Sequence, residues 1–394
     1  MRVRLVECLL AISAIIVTYL GAEAAFSLVG LRYVPLRLQG YLPVDVRVFA
    51  QSSKTGVVPR DPVLLLGDSY AEGFGDWLLE SDPNRNGPFH SAHVINRLTG
   101  RDVITLGLGG AGSADGMAAF PKSIYAYSKR AWYLRLPPPH IAVVYFYEGN
   151  DLNDNIAFLA NRAVNPDAAD LVERIDRSIN VSLFGVHWLE HFPLLRFSGR
   201  MARDIFAEPT STKSMHGLGL NDAINAAPQP NIVEVGDQAM ALPANLQSPA
   251  MELTGPELER AALVFERSLV FLRKLLPGTP VLVAYLPSPL SSYRLLSPEV
   301  SIHKYVIDRA GRYPKERVAE YSNTVCLLIR TATIGQGAGF LDLRPAIRTA
   351  SARAILHGPR TFTHFNRKGM EVLGQMVAER INQPLAQEPC AKIP

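Results

Sequence analysis

The sequence predicts an α/β protein with a doubly wound, five-stranded parallel sheet that has helices on both faces. Short apolar runs recur along the chain without polar alternation, as expected for strands that are buried on both faces of a parallel sheet. Patterns typical of amphipathic helices fall between several of these runs. The five runs are residues 63–69, 103–110, 141–151, 280–288 and 339–343.

Two helices in the second half of the chain are predicted from their start signals and their apolar spacing. Thr254 and Glu257 have the spacing of a capping box, in which each side chain satisfies a free backbone amide at the start of a helix. Apolar residues then follow at steps of three and four until Pro277 and Gly278 end the helix. A second stripe predicts a helix near the C-terminus: Met370, Leu373, Val377 and Ile381.

The segment between the third and fourth runs breaks this alternation. Residues 157–253 contain several prolines, Asn-rich turns and short amphipathic pieces, which predict a long insertion and not an independent domain. An aromatic piece within it, 183–197, carries His187, His191 and Arg196. A lid, a wall of the substrate site, a helix at a membrane surface and a helix packed on the core remain open for this piece.

The N-terminal residues indicate in which compartment the protein is located. A short cationic start precedes residues 8–22, which carry no charge. With its apolar flanks this run approaches the roughly 20 residues that a spanning helix needs. We therefore predict a transmembrane anchor in residues 1–30, followed by one domain, 31–394. A cleaved signal peptide is the alternative, because residues 22–24 (Ala-Glu-Ala) resemble a cleavage site. A buried helix of a soluble protein is a third possibility.

The flanking charges predict the orientation of this helix. Arg2 and Arg4 favour a cytoplasmic N-terminus, although Arg32 and Arg37 weaken the asymmetry. An anchor and a cleaved signal both place the rest of the chain on the extracytoplasmic, periplasmic side. In that oxidising compartment Cys326 and Cys390 could form a disulfide, and two separately buried thiols are the alternative.

Composition argues against several classes of partner. The 40 basic and 36 acidic side chains are scattered without a basic stripe, so no nucleic-acid partner is expected. His187 and His191 lie four residues apart with Glu190 between them, but without an HExxH motif, and we predict no metal. The GxGxxG string at 107–112 follows the second run, and Glu148 lies too far on to bind a ribose, so no cofactor is expected.

Polar groups follow three of the predicted strands where each one ends. Ser69 ends the first run, Gly110 ends the second, and Asn150 lies at the end of the third. Ligands of an open parallel sheet bind beyond the carboxyl ends of its strands. A hydroxyl, a glycine backbone and an amide donor are therefore expected at one edge, which is the set that acyl transfer needs. Asp68 and Asp151, beside them, are expected to orient the loops.

In these blocks the sequence resembles the SGNH hydrolases, which are also called GDSL-type esterases. The blocks are GDSYAEGFG (67–75), LGLGGAGS (106–113), EGND (148–151) and THFNRKG (363–369). They occur in the order that the family shows, and together they cover most of the chain.

The resemblance implies a flavodoxin-like fold and a serine esterase or O-acyltransferase. Ser69 would form an acyl-enzyme, and His364 would act as general base and then as general acid. The backbone N–H groups of Ser69 and Gly110, with the Asn150 side-chain amide, would form the oxyanion hole.

The sequence departs from the family pattern beside the histidine. Family members usually carry an aspartate two or three residues before it, and here those positions hold Thr361 and Phe362. The partner of His364 is left open between a backbone carbonyl, the Thr361 hydroxyl and an acid from elsewhere, such as Asp342. Thr105 stands where the family commonly has an asparagine.

We predict a membrane-anchored hydrolase of O-acyl esters, such as acetyl esters of a cell-envelope glycan. An O-acyltransferase that modifies a polysaccharide is an alternative, because the outcome depends on how well the site excludes water. A non-catalytic protein of the same fold, which binds glycan or assembles an export complex, is a third hypothesis. The missing aspartate favours it, whereas the retained Ser69, Gly110, Asn150 and His364 oppose it.

Overall fold

The computed structural model describes residues 2–73, 90–180, 191–206, 231–359, 361–385 and 387–394. The strands in these ranges are β1 (Val63–Gly67), β2 (Val103–Thr105), β3 (Ile141–Tyr147), β4 (Asn231–Val235), β5 (Gln238–Leu242), β6 (Val281–Leu286), β7 (Arg294–Leu295), β8 (Glu299–Ser301), β9 (Arg312–Pro314) and β10 (Gly339–Asp342).

The α-helices in the first half of the chain are α1 (Arg2–Leu28), α2 (Leu36–Gln39), α3 (Arg47–Ala50), α4 (Ser69–Glu72), α5 (Ser91–Thr99), α6 (Phe120–Arg130), α7 (Asp151–Asn161), α8 (Leu171–Ile179) and α9 (Pro193–Phe206). Those in the second half are α10 (Gly255–Leu275), α11 (Pro289–Ser292), α12 (Glu316–Gly335), α13 (Arg344–Ser351) and α14 (Arg367–Ile381). Two 3-10 turns, Gly30–Tyr33 and Trp132–Leu134, and a π-helical turn, Asp115–Ala119, complete the helical structure of the described ranges.

A five-stranded, all-parallel sheet lies at the centre, in the order β2–β1–β3–β6–β10. Its strands coincide with the five apolar runs, so the predicted doubly wound α/β fold is confirmed. The chain passes from β1 outward to β2 and then returns to β3 on the other side of β1. The strand order therefore reverses between β1 and β3, which is where such sheets bind ligands.

Both faces of the sheet are covered, as the unbroken apolar strands require. On one face Leu64 and Val144 belong to the same buried cluster as Phe265 of α10. On the other face Val63 and Leu373, the latter from α14, lie in a second buried cluster. Successive strand residues thus bury their side chains in opposite layers.

The two predicted helices are also present. The backbone N–H and the hydroxyl of Thr254 both donate to Glu257 at 2.8 Å, which completes the capping box of α10. Gly278, in the left-handed region with φ +78°, follows the end of this helix. The C-terminal stripe lies buried on α14.

The predicted insertion, residues 157–253, begins within α7. Its described part then contains α8, α9 and an antiparallel hairpin of β4 and β5. Residues 183–190 of the aromatic piece, including His187 and Glu190, lie outside the described residues. Its C-terminal part opens α9, where Arg196 forms an ion pair with Asp45 at 3.3 Å. The division into one domain with an insertion stays a prediction.

A buried carboxylate joins the ends of two sheet strands. Glu148, directly after β3, accepts hydrogen bonds from the Tyr285 hydroxyl at 2.6 Å and the Ser288 amide at 2.8 Å. The Ser322 hydroxyl of α12 donates to it at 2.8 Å. A buried charge needs this many donors to offset the loss of water. Glu148 therefore fastens β3 to β6 and α12.

The N-terminal helix is apolar and lies on the outside of the protein. Val6–Leu28, 23 residues with a mean hydropathy of 1.9, is long and apolar enough to cross a membrane. Its apolar side chains mostly face outward, with Leu10 and Ile15 exposed by 65% and 69%. This exposure does not fit a core helix of a soluble protein, and it suits a membrane anchor or a signal sequence.

Cys326 and Cys390 form a disulfide, so the open choice between a pair and separate thiols is decided in favour of the pair. The bond joins α12 to the C-terminal segment across 64 residues of sequence.

Replacing Cys390 with serine is expected to lower the free energy of unfolding by about 4 kcal/mol, because opening a cross-link of this length restores conformational entropy to the unfolded chain. Thermal unfolding of the full-length protein in detergent measures the effect. Cys8→Ser is the matched control, since Cys8 is a free cysteine on α1. Equal stability of the two variants, both matching the unmodified protein, would contradict a structural disulfide.

Candidate active site

Ser69 and His364 meet beyond the carboxyl end of β1. The Oγ atom of Ser69 lies 2.8 Å from Nε2 of His364, although 295 residues separate them in sequence. This is hydrogen-bonding distance, as a nucleophile and its base require. Both side chains are half-buried, so solvent still reaches the pair.

The turn after β1 presents the serine. Gly67 has φ +136°, and a Cβ at this position would lie 2.5 Å from the carbonyl oxygen of Tyr145. Asp68 caps α4 by accepting the backbone N–H of Tyr70 at 2.9 Å. Its other oxygen accepts the Ser69 hydroxyl at 3.3 Å. A glycine and a capping acid together hold Ser69 at the first position of α4.

Hydrogen bonds from two tyrosines hold the histidine loop. Tyr70 and Tyr147 donate their hydroxyls to the carbonyl of Thr363, at 3.0 and 3.2 Å. Just beyond His364, Asn366 caps α14 by accepting the N–H groups of residues 368 and 369. The backbone around the base is therefore tied to α4, to β3 and to the start of α14.

A threonine hydroxyl, and not a carboxylate, contacts the Nδ1 atom of His364. The Thr363 hydroxyl lies 2.9 Å from Nδ1 of His364, and the Thr361 hydroxyl lies 2.7 Å from that of Thr363. Sequence reasoning considered Thr361 but missed Thr363. No signal pointed to it, because a lone threonine has no motif. Asp342 instead forms a buried ion pair with Arg344 at 2.8 Å, where β10 ends and α13 begins.

The threonine contact suits one tautomer of the histidine. With the proton on Nδ1, His364 donates to Thr363, and Nε2 is left as an acceptor for the Ser69 proton. A neutral hydroxyl stabilises the imidazolium less than a carboxylate would. Burial lowers the pKa of His364 from 6.5 to about 4, so the ring is neutral at pH 7 and has a free nitrogen lone pair to accept a proton.

The glycine loop after β2 lies against α4. The N–H of Gly109 donates to the Glu72 carboxylate at 2.7 Å. A Cβ on Gly107 would lie 2.1 Å from the backbone nitrogen of Glu72, so only glycine permits this approach. Gly110 follows, exposed and in the left-handed region with φ +71°. The glycines just before Gly110 thus contact α4, the helix that Ser69 begins, and the predicted role of the Gly110 N–H in an oxyanion hole stays a prediction.

The side-chain amide of Asn150 is already engaged in hydrogen bonds. Nδ2 donates to Asp154 at 2.9 Å, and the amide also hydrogen-bonds the Asp68 carboxyl. An amide group has two N–H donors, so stabilising an oxyanion would require Asn150 to release one of them. Its predicted role in an oxyanion hole stays a prediction. Sequence reasoning missed Asp154, and its position four residues after Asn150 was the available signal.

Three carboxyl groups cluster under the serine. Burial raises the pKa of Asp68 to about 6, and burial with the nearby charge of Asp68 raises the pKa of Asp154 to about 7. The pKa of Asp151 is also raised well above its usual range, by burial and then by Asp68. Asp151 accepts the N–H of Tyr147 at 3.0 Å, consistent with the loop-orienting role predicted for it. These acids are harder to ionise than exposed carboxyl groups, which limits the negative charge beside Ser69.

The described residues contain one group with metal-ligand geometry, Cys326, Asp342 and Cys390. Its two cysteines are joined in the disulfide and so cannot supply thiolates. His191 is described, whereas His187 and Glu190 are not, so the predicted absence of a metal there stays a prediction.

Comparison of the chain with protein-family models, with curated proteins and with solved structures gives no match.

Replacing Thr363 with valine, which keeps the shape and removes the hydroxyl, should lower kcat about fivefold, because a neutral hydrogen bond contributes about 1 kcal/mol. Hydrolysis of p-nitrophenyl acetate measures it. Thr349→Val is the control, since the Thr349 hydroxyl is exposed on α13. A raised KM with unchanged kcat would show that Thr363 does not act through the histidine.

The pH dependence of kcat/KM should report the protonation of His364. We expect kcat/KM to fall on the acid side with a midpoint near pH 4, because protonated His364 cannot accept the Ser69 proton. Stopped hydrolysis assays across pH, with circular dichroism at each pH to confirm folding, measure the profile. A midpoint at the ordinary histidine value of 6.5 would contradict this environment.

Proposed function

We propose that this protein is a serine ester hydrolase that removes O-acyl groups outside the cytoplasm. One observation carries the proposal: the 2.8 Å contact between Ser69 Oγ and His364 Nε2. It lies at the carboxyl edge of the sheet, next to the switch point between β1 and β3. The resemblance to the SGNH hydrolases supports the same chemistry, since this pair occupies the serine and histidine positions of the family's motifs.

The reaction proceeds in two halves. Ser69 Oγ attacks the ester carbonyl while Nε2 of His364 takes its proton, and the same proton then passes to the departing alcohol. Water then attacks the acyl carbonyl while His364 takes one of its protons, and this proton passes to Ser69 Oγ as the carboxylic acid leaves. Thr363 keeps the Nδ1 proton in place throughout. The N–H groups of Ser69 and Gly110 would hold the oxyanion, where one donor is typically worth roughly 2.7–4 kcal/mol.

The compartment is inferred from two features. Disulfides such as Cys326–Cys390 persist mainly in oxidising compartments. α1 supports an anchor over a cleaved signal, because Glu23 accepts the backbone N–H groups of Leu194 and Leu195 at 2.7 and 3.2 Å. Cleavage after Ala24 would remove this carboxylate. A retained anchor with the domain outside favours an acylated cell-envelope glycan as substrate.

The decisive assay is hydrolysis of p-nitrophenyl acetate by the full-length protein in detergent. Ser69→Ala should lower kcat by at least about 10³-fold, because it removes the nucleophile. Ser52→Ala is the matched control: the Ser52 hydroxyl also lies near a histidine nitrogen, 3.3 Å from His93, but on the exposed surface.

Unchanged activity in Ser69→Ala would refute the proposal. A stoichiometric burst of p-nitrophenol, with turnover only when an oligosaccharide is added, would identify an acyltransferase that uses the same pair. A folded protein with neither burst nor turnover would favour the non-catalytic hypothesis.

A further inference from the structure

The end of α1 is built into the domain. Glu23 is buried and accepts the Tyr19 hydroxyl at 2.6 Å, together with the first two free N–H groups of α9, those of Leu194 and Leu195. A carboxylate at the start of a helix satisfies unpaired amides and complements the helix dipole. The apolar helix is therefore attached to the domain by a charged cap.

A second segment packs on the same part of α1. The turn Trp132–Leu134 lies against this helix, and the Tyr133 hydroxyl donates to the carbonyl of His191 at 2.7 Å. The ring of Phe192 lies 6.4 Å from that of Tyr19. The last turns of α1 are thus flanked on the outside by residues from two distant parts of the chain.

No linker separates the apolar helix from the domain. α1 ends at Leu28, and Leu31 is already fully buried in the core. From Val6 to Ala22, the last residue before the buried Glu23, α1 offers 17 residues, or about 26 Å of helix, against roughly 30 Å of hydrocarbon. A bilayer that holds this helix must therefore bring its headgroups to the level of the flanking residues.

These flanking residues expose aromatic and apolar side chains. Trp132 is 80% exposed, Tyr33 68% and Leu195 42%. Tryptophan and tyrosine are enriched at membrane–water interfaces. Exposed Lys129 and Arg135 lie on either side of the Trp132 turn, which suits anionic headgroups.

We propose that Trp132, Tyr33 and Leu195 form a membrane collar, which sits in the headgroup layer around the emerging α1 and holds the domain against the bilayer. The occupant of this surface is the lipid that surrounds the anchor. The inference depends on retention of α1 and is independent of the chemistry at Ser69.

Depth-dependent fluorescence quenching tests the collar. In full-length Trp77→Phe/Trp188→Phe protein, Trp132 is the remaining tryptophan. The protein is reconstituted into mixed phosphatidylglycerol and phosphatidylcholine vesicles that carry bromine near the headgroup end or near the tail end of the chains. We expect bromine near the headgroup end to quench Trp132 emission strongly and bromine near the tail end to quench it less. Aqueous iodide should quench it little.

The matched control moves the tryptophan to another exposed position. In the same background, Trp132→Phe with Leu327→Trp places it on α12, where Leu327 is 54% exposed. Its emission should respond to iodide and not to lipid bromine. Equal responses from the two positions would overturn the collar.

Other results would also overturn it. Shielding of Trp132 from iodide without lipid quenching would show a protein partner on this surface. A purified chain whose mass lacks α1 would show signal cleavage. Esterase activity measured on the same samples separates failure of the collar from failure of the proposed function.

Discussion

The parallel pairing of β1 with β3 is the constraint on which the rest of the site depends. Val63 pairs with Ile141, and Gly67 with Tyr145, so both strands end at the same edge of the sheet. β2 leaves on the opposite side of β1, which opens a crevice between the loops. Gly67 allows the β1 turn to pass close to the Tyr145 carbonyl, and without that approach Ser69 would not face this crevice.

The sequence predicted the strands and helices that local patterns determine, and it missed two side chains that contact the site residues. Unbroken apolar runs must be buried on both faces, so they located all five central strands, and the capping box of Thr254 located the start of α10. The prediction that Ser69 and His364 act together came from the motif resemblance, since no local pattern links residues so distant in sequence. Thr363 and Asp154 were missed although each contacts a site residue close by in sequence, one and four residues away, because the motifs give neither position a role.

Electrostatics around the serine follow from burial. Asp68, Asp151 and Asp154 share a small volume, and three charges cannot be held there without water. Their raised pKa values let the cluster keep protons near neutral pH, so the acids can cap α4 and bind the Tyr147 amide without surrounding Ser69 with negative charge. The same burial keeps His364 neutral. A neutral histidine beside carboxyl groups of raised pKa is compatible with a threonine hydroxyl, and not a carboxylate, at Nδ1 of His364.

Contacts continue from the apolar helix to the rim of the site. Glu23 caps α9, and α9 carries Arg196 to its ion pair with Asp45 at 3.3 Å. Asp45 lies just before α3, whose Arg47 acts electrostatically on Glu72, the carboxylate that holds the glycine loop. If α1 is held in a membrane, this chain of contacts would set the height and orientation of the crevice above it. An enzyme mounted in this way would act on esters presented at a fixed distance from the membrane.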